Sequence, residues 1–201
     1  MTNRISHSRE TIVRTFLVTA CITAFAFATG AAQRKPSDVP VDFSTSVNFV
    51  GPMGAAATNL MIHIDRYTAD SDRTTLVDAL KQKGYDGFLP ALRQAPVVGY
   101  IQVKDQKWDV RWAHQQTADL RQTVTIATDQ PIYFVGGGRP DAKPRAGFDM
   151  AVIRLDVDTI GMGTGSLAPA ARVKPTADGQ GVQVDDYAGE PVEITSVKRI
   201  H

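Results

Sequence analysis

Cysteine is nearly absent from this chain. Its one cysteine in 201 residues is Cys21. Beyond residue 32 there is no thiol, which excludes a disulfide, a Cys nucleophile and Cys-ligated zinc or iron–sulfur clusters there. Glutamate is almost as scarce: Glu10, Glu190 and Glu193 are the only Glu among 21 acidic residues. A glycosidase built on paired Glu is therefore nearly impossible, although Asp pairs stay open. So little Glu beside 16 Gly and 11 Pro argues against a helical protein and for turns and short strands. An excess of one charge is lacking too. Lys and Arg number 22, Asp and Glu 21, so nothing draws the chain toward nucleic acid or an anionic membrane. No apolar run reaches the ~20 residues that a membrane-spanning helix needs.

What is present begins with an address. Arg4, Arg9 and Arg14 give a basic start, residues 16–28 form a short apolar run, and Gly30-Ala31-Ala32 supplies small residues after it. This is the layout of a secretory signal peptide over 1–32, with cleavage near Ala32. The expected localisation is the periplasm or the extracellular space. Removing the leader shifts the formal charge from +1 to about −1. Val18-Thr19-Ala20-Cys21 fits a lipobox loosely, but Cys21 sits inside the apolar run rather than at its end, which argues against lipidation. Residues 33–42 are polar and carry Pro36 and Pro40, a flexible lead-in. Residues 43–201 are the size of a single β-rich domain that can bury its own core.

Within that domain Leu60, Ile62 and Ile64 alternate as one face of a strand, with Met61, His63, Asp65 and Tyr67 on the other. One stretch has helical spacing: Asp70 or Ser71 can cap it, Leu76, Val77, Ala79 and Leu80 make its apolar stripe, and Gly84 can end it. A second short helix is expected over 87–94, so the two form a helical hairpin. The period then switches to two. Trp108, Val110, Trp112 and His114 alternate onto one face. Strands are expected at 97–103, 108–114, 120–128, 132–135, 148–157, 161–167, 171–174, 182–186 and 191–197. The run at 148–157 is the most apolar and is expected to be central; 136–145, with three consecutive glycines, reads as a flexible loop. Short connections force antiparallel neighbours. The expected fold is mainly β (α+β): an antiparallel β-sandwich or partly closed barrel of about nine strands with one inserted helical hairpin.

Several segments carry a resemblance. Ile64-Asp65-Arg66-Tyr67-Thr68-Ala69-Asp70-Ser71-Asp72-Arg73, Leu76-Val77-Asp78-Ala79-Leu80, Val98-Gly99-Tyr100-Ile101, Trp108-Asp109-Val110-Arg111, Ile126-Ala127-Thr128-Asp129-Gln130-Pro131-Ile132 and Gly161-Met162-Gly163-Thr164-Gly165-Ser166-Leu167-Ala168 are among them. Together they span most of the domain, and the chain resembles a family of exported bacterial proteins of the acidobacterial type. That family has no assigned activity. The resemblance implies a leader followed by one domain and brings no catalytic residue.

Each chemical motif has a bland reading that weighs against it. His63-x-Asp65 puts an imidazole and a carboxylate on one strand face, half of a metal site or a base with its acid, or simply a polar outer face. His114 could add a second ligand, or be an ordinary residue at a core edge. His201 ends the sequence and is expected to fray. Asp156-x-Asp158 and Gly161 imitate a calcium loop, but Ile160 and Leu167 stand where oxygen ligands belong, so a hairpin turn is expected. Gly161-x-Gly163-x-Gly165 precedes Pro169 rather than a helix, so it lets another backbone or ring pack close rather than cradling phosphate. Ser166 lacks a nucleophile-elbow context. The strongest lead is aromatic: Tyr100, Trp108, Trp112 and His114 could line an apolar or sugar-stacking site, although large rings more commonly fill cores. The favoured expectation is an exported non-enzymatic binding or interaction domain. It would take a small apolar or carbohydrate ligand or a cell-envelope protein partner, with no cofactor, no nucleic acid and no membrane span after leader removal. The alternative is a metal-assisted hydrolase using His63, Asp65 and His114.

Overall fold

The computed structural model describes residues 39–51, 54–132, 145–188 and 191–200. The expected signal, the lead-in through residue 38 and the glycine loop through residue 144 lie outside them. Among the described residues nine strands and one kinked helical element follow in order: β1 (Val41–Gly51), β2 (Gly54–Ile64), α1 (Asp70–Gln94), β3 (Gly99–Val103), β4 (Gln106–Ala118), β5 (Arg121–Thr128), β6 (Met150–Asp158), β7 (Met162–Pro175), β8 (Val182–Tyr187) and β9 (Val192–Arg199). All pairings are antiparallel.

β1 to β7 pair each with the next, and β9 joins β7 to β1. These eight strands close into a barrel rather than a sandwich. Twist accumulated along a meander brings the last strand to the first, and closure removes both open edges. β6, expected to be central, is one stave of a closed wall. β8 pairs only with Ala171 to Pro175 of β7, so β7 runs past the barrel and folds back as a hairpin.

Three differences from the expected elements have local causes. β1 was not expected: it begins at Val41, inside the lead-in, and buries Val41, Phe43, Thr45 and Val47 on one face. The expected strands at 161–167 and 171–174 are one strand. Pro169 lies where the β6–β7 register shifts between the pairs Val152↔Ala168 and Met150↔Ala171, so no ladder N–H is needed from it. The two expected helices are present and meet at Gly84, whose φ of 64° and ψ of −159° are not helical, so they follow each other across a kink within α1 without an intervening loop.

The barrel interior is filled by side chains, among them Phe43, Leu60, Ile62, Ile101, Ile126, Ile153 and Ile194. A second core lies outside the wall. There Leu76, Val77, Leu80, Phe88 and Leu92 of α1 pack in one cluster with Trp112, Ala127, Val152 and Ala168. Gly163 and Gly165 permit the tight β6–β7 contact. A Cβ on them would stand 1.9 Å from the Asp156 carbonyl oxygen and 2.3 Å from that of Arg154.

Candidate functional site

The four residues of the aromatic lead lie in separate places. A bulge between Val110 and Trp112 inserts one extra residue into β4. It reverses the alternation, because each residue added to a strand turns the following side chains to the other face. Trp108 and Val110 therefore belong to the barrel interior, whereas Trp112 is fully buried in the outer core with α1. The expected shared face of Trp108 and Trp112 is not formed. His114 follows Trp112 outward and meets it edge-on, with ring centroids 6.1 Å apart. Tyr100 is on the outer wall of β3, two strands from β5.

Tyr100 belongs instead with His63. Register places Asp42, His63, Tyr100 and Asp109 side by side across β1 to β4. The His63 ring stacks on Tyr100 at 4.9 Å, and the Lys107 ammonium lies 4.1 Å from the Tyr100 ring centre. His63 Nδ1 meets Asp42 Oδ1 at 2.6 Å and Nε2 meets Asp65 Oδ1 at 3.1 Å. Partial burial pulls its pKa down, but the two carboxylates outweigh this and hold it above the ordinary value. Only the imidazolium has an N–H for both carboxylates. With both ring nitrogens so engaged, His63 offers no lone pair to a metal.

His114 has the opposite setting. Its Nε2 accepts a hydrogen bond of 2.8 Å from Arg73 of α1, which places the ring proton on Nδ1. Burial, and then the Arg73 charge, lower its pKa. His63 is level with Asp109 on β4, five residues from His114 and two strands away. Strand spacing and rise make the separation on the order of 15–20 Å, against zinc–ligand distances of ~2.0–2.2 Å. The triad His63, Asp65 and His114 is not assembled. Among the described residues no group of His, Cys, Asp or Glu could hold a metal ion.

The outer wall of β4 to β7 carries a recess. Register sets its residues in rows. The first row is Trp112, Ala127, Val152 and Ala168, apolar and largely covered by α1. The second is His114, Thr125, Arg154 and Ser166; the third is Gln116, Thr123, Asp156 and Thr164. The β7–β8 hairpin overhangs these rows and leaves a groove of about 400 Å³. Val152 and Ala168 form one side of its floor, Thr123, Thr125, Arg154 and Ser166 the other, and Val182, Val184 and Tyr187 the overhang.

The hairpin is held in place by its own turn. Thr176 Oγ1 donates to Asp178, and the backbone N–H of Gly181 and Gln180 donate to Thr176 Oγ1 and Asp178 Oδ1 at 2.9 and 3.0 Å. Gln116 Nε2 reaches Asp178 at 3.4 Å, and the Lys81 ammonium of α1 lies against the tip at Gly179. His114 thus sits where α1, β4 and the hairpin meet.

Inside the groove the charges are already spent. Arg154 donates to Asp156 through Nε and Nη2 at 3.1–3.4 Å, and Thr123 Oγ1 donates to Asp156 at 2.6 Å. Partial burial would raise the Asp156 pKa, but these bonds outweigh it and keep the carboxylate ionised. At the hairpin, Lys174 Nζ pairs with Asp185 at 2.9 Å. Thr125 and Ser166 have no side-chain hydrogen-bond partner among the described residues.

No family model, curated protein or solved structure matches this chain. The site therefore stands on its geometry. Sequence reasoning missed the groove residues because β5 and β6 show only alternation, with Thr123, Thr125, Arg154 and Asp156 on the polar side. Alternation alone marks no more than a polar face; only the overhang turns it into a recess.

Proposed function

We propose that the barrel, which begins at Val41, forms an exported, non-enzymatic binding domain whose ligand occupies the groove between the β7–β8 hairpin and the barrel wall. The carrying observation is that recess, with apolar residues on one side and convergent polar side chains on the other, a composition typical of small-ligand sites. The barrel interior is filled by side chains, which leaves the outer wall as the place for a ligand. The separation of His63 from His114 removes the support for hydrolysis at a shared metal. Export rests on the basic, apolar and small-residue order of 1–32.

Two measurements test this reading. N-terminal sequencing of protein recovered outside the cytoplasm should start near Gln33; an intact leader or a lipidated Cys21 overturns export. A thermal-shift screen with a mixed library of sugars, fatty acids and small anions should yield a stabilising compound, since only a ligand of the folded state raises Tm. Ser166→Trp, which fills the groove from an exposed position, should abolish that rise. A stabilising compound unaffected by Ser166→Trp, or none at all, overturns the groove as the site.

A further inference from the structure

From the chemistry of the groove, and resting on that binding reading, we infer that its ligand is a neutral carbohydrate of about disaccharide size. Three observations converge. First, the charges cancel in place: Arg154 is matched to Asp156, and Asp185 to Lys174. Each pair is partly exposed and self-neutralised, so neither leaves an unmatched charge in the groove to draw an ionic ligand. Second, Thr125 and Ser166 flank Arg154 in one row, and neither hydroxyl is engaged among the described residues. A hydroxyl both donates and accepts, so it suits a ligand made of hydroxyls better than a carboxylate or a hydrocarbon. Beside them the Arg154 guanidinium, bonded to Asp156 through Nε and Nη2, keeps Nη1 as a further donor for a ligand hydroxyl. Third, Tyr187 stands on the overhang with 42% of its surface exposed. An aromatic ring is an apolar surface with a polar tip, suited to the C–H face of a sugar ring. A wholly apolar ligand would strand the hydroxyls of Thr125 and Ser166 without hydrogen bonds, and an unsatisfied polar group in a site is penalised.

Titration calorimetry on the full exported domain distinguishes the classes. The probes are the neutral disaccharides maltose, cellobiose, lactose and chitobiose, then digalacturonate, then dodecanoate. At least one neutral disaccharide should bind. Tyr187→Ala and the double variant Thr125→Val with Ser166→Ala should each weaken it about tenfold, the loss of one aromatic face or of about one net hydrogen bond per change. Melting curves equal to those of the unaltered chain exclude misfolding as the cause. Binding of digalacturonate alone, abolished by Ser166→Trp, overturns the neutrality of the ligand; binding of dodecanoate alone, abolished likewise, overturns the carbohydrate assignment; both outcomes keep the groove. Failure of every probe overturns the carbohydrate assignment as well. Disaccharide binding that survives Ser166→Trp overturns both the assignment and the groove.

Discussion

Two histidines on one barrel have opposite settings, and each setting is made by its neighbours. His63 lies between Asp42 and Asp65, so folding raises its pKa above 6.5. The folded chain then holds the proton more tightly than the unfolded one. That stabilisation is complete below pH 6.5 and is lost as pH rises through the raised value. His114 is kept neutral by burial and by Arg73, so folding lowers its pKa. Its contribution is complete above pH 6.5 and is lost as pH falls through the lowered value. Urea melts across pH 5–8 should show His63→Gln removing the loss on the alkaline side and His114→Gln removing the loss on the acid side. Trp112 is the third residue with a defined cost. It is fully buried beneath α1, and its indole N–H has no partner among the described residues. Trp112→Ala should cost about 3–5 kcal/mol in a denaturant melt, the range for a buried aromatic. Trp112→Phe, which sacrifices no hydrogen bond, should cost less. A Trp112→Ala loss below about 1 kcal/mol would show that the outer core can close over the gap.

Among the elements, α1 carries a terminator that the sequence shows. Gly84 does stop a helix, but the helix resumes at once, and both segments bury their apolar residues on the same wall. Its φ of 64° and ψ of −159° fall in a region reserved almost wholly for glycine. Nothing lies within 4 Å of where a Cβ would stand. Gly84→Ala should therefore cost about 1–3 kcal/mol through backbone strain alone, with no clash to relieve. A thermal melt checks this, and an unchanged Tm would mean that the joint can adopt another conformation. The β4 bulge acts at the same scale. By turning Trp112 outward it supplies the large ring around which α1 packs, and it carries His114 to the rim of the groove.

For the whole molecule, closure depends on β9. It contributes Val192, Ile194 and Val197 to the interior and hydrogen-bonds both β1 and the first half of β7. A chain ending at Gly189 would lose those side chains and leave two open strand edges, a ready template for aggregation. Such a chain should elute as aggregate from size exclusion and show no cooperative melt. A monomeric, cooperatively melting product would show that β8 or another segment can take the place of β9.

The sequence by itself determined the strand-rich class, the antiparallel neighbours, the place of the helical insertion and most strand positions. These follow from local periodicity and short connections, which act between residues close in the chain. Even β1 was legible, since Val41, Phe43, Thr45 and Val47 alternate cleanly; the prolines before them masked it. The turn at Asp158 was legible for the same reason, because its carboxylate accepts the backbone N–H of Ile160 and Met162 a few residues on. Only the tertiary structure decided barrel against sandwich, because closure depends on summed twist and on β9 meeting β1 across most of the chain. It alone decided the fate of the aromatic face, because one bulged residue reverses every side chain after it. It alone made the groove, because Thr125, Arg154 and Ser166 come from three strands and become a recess only when the β7–β8 hairpin folds over them.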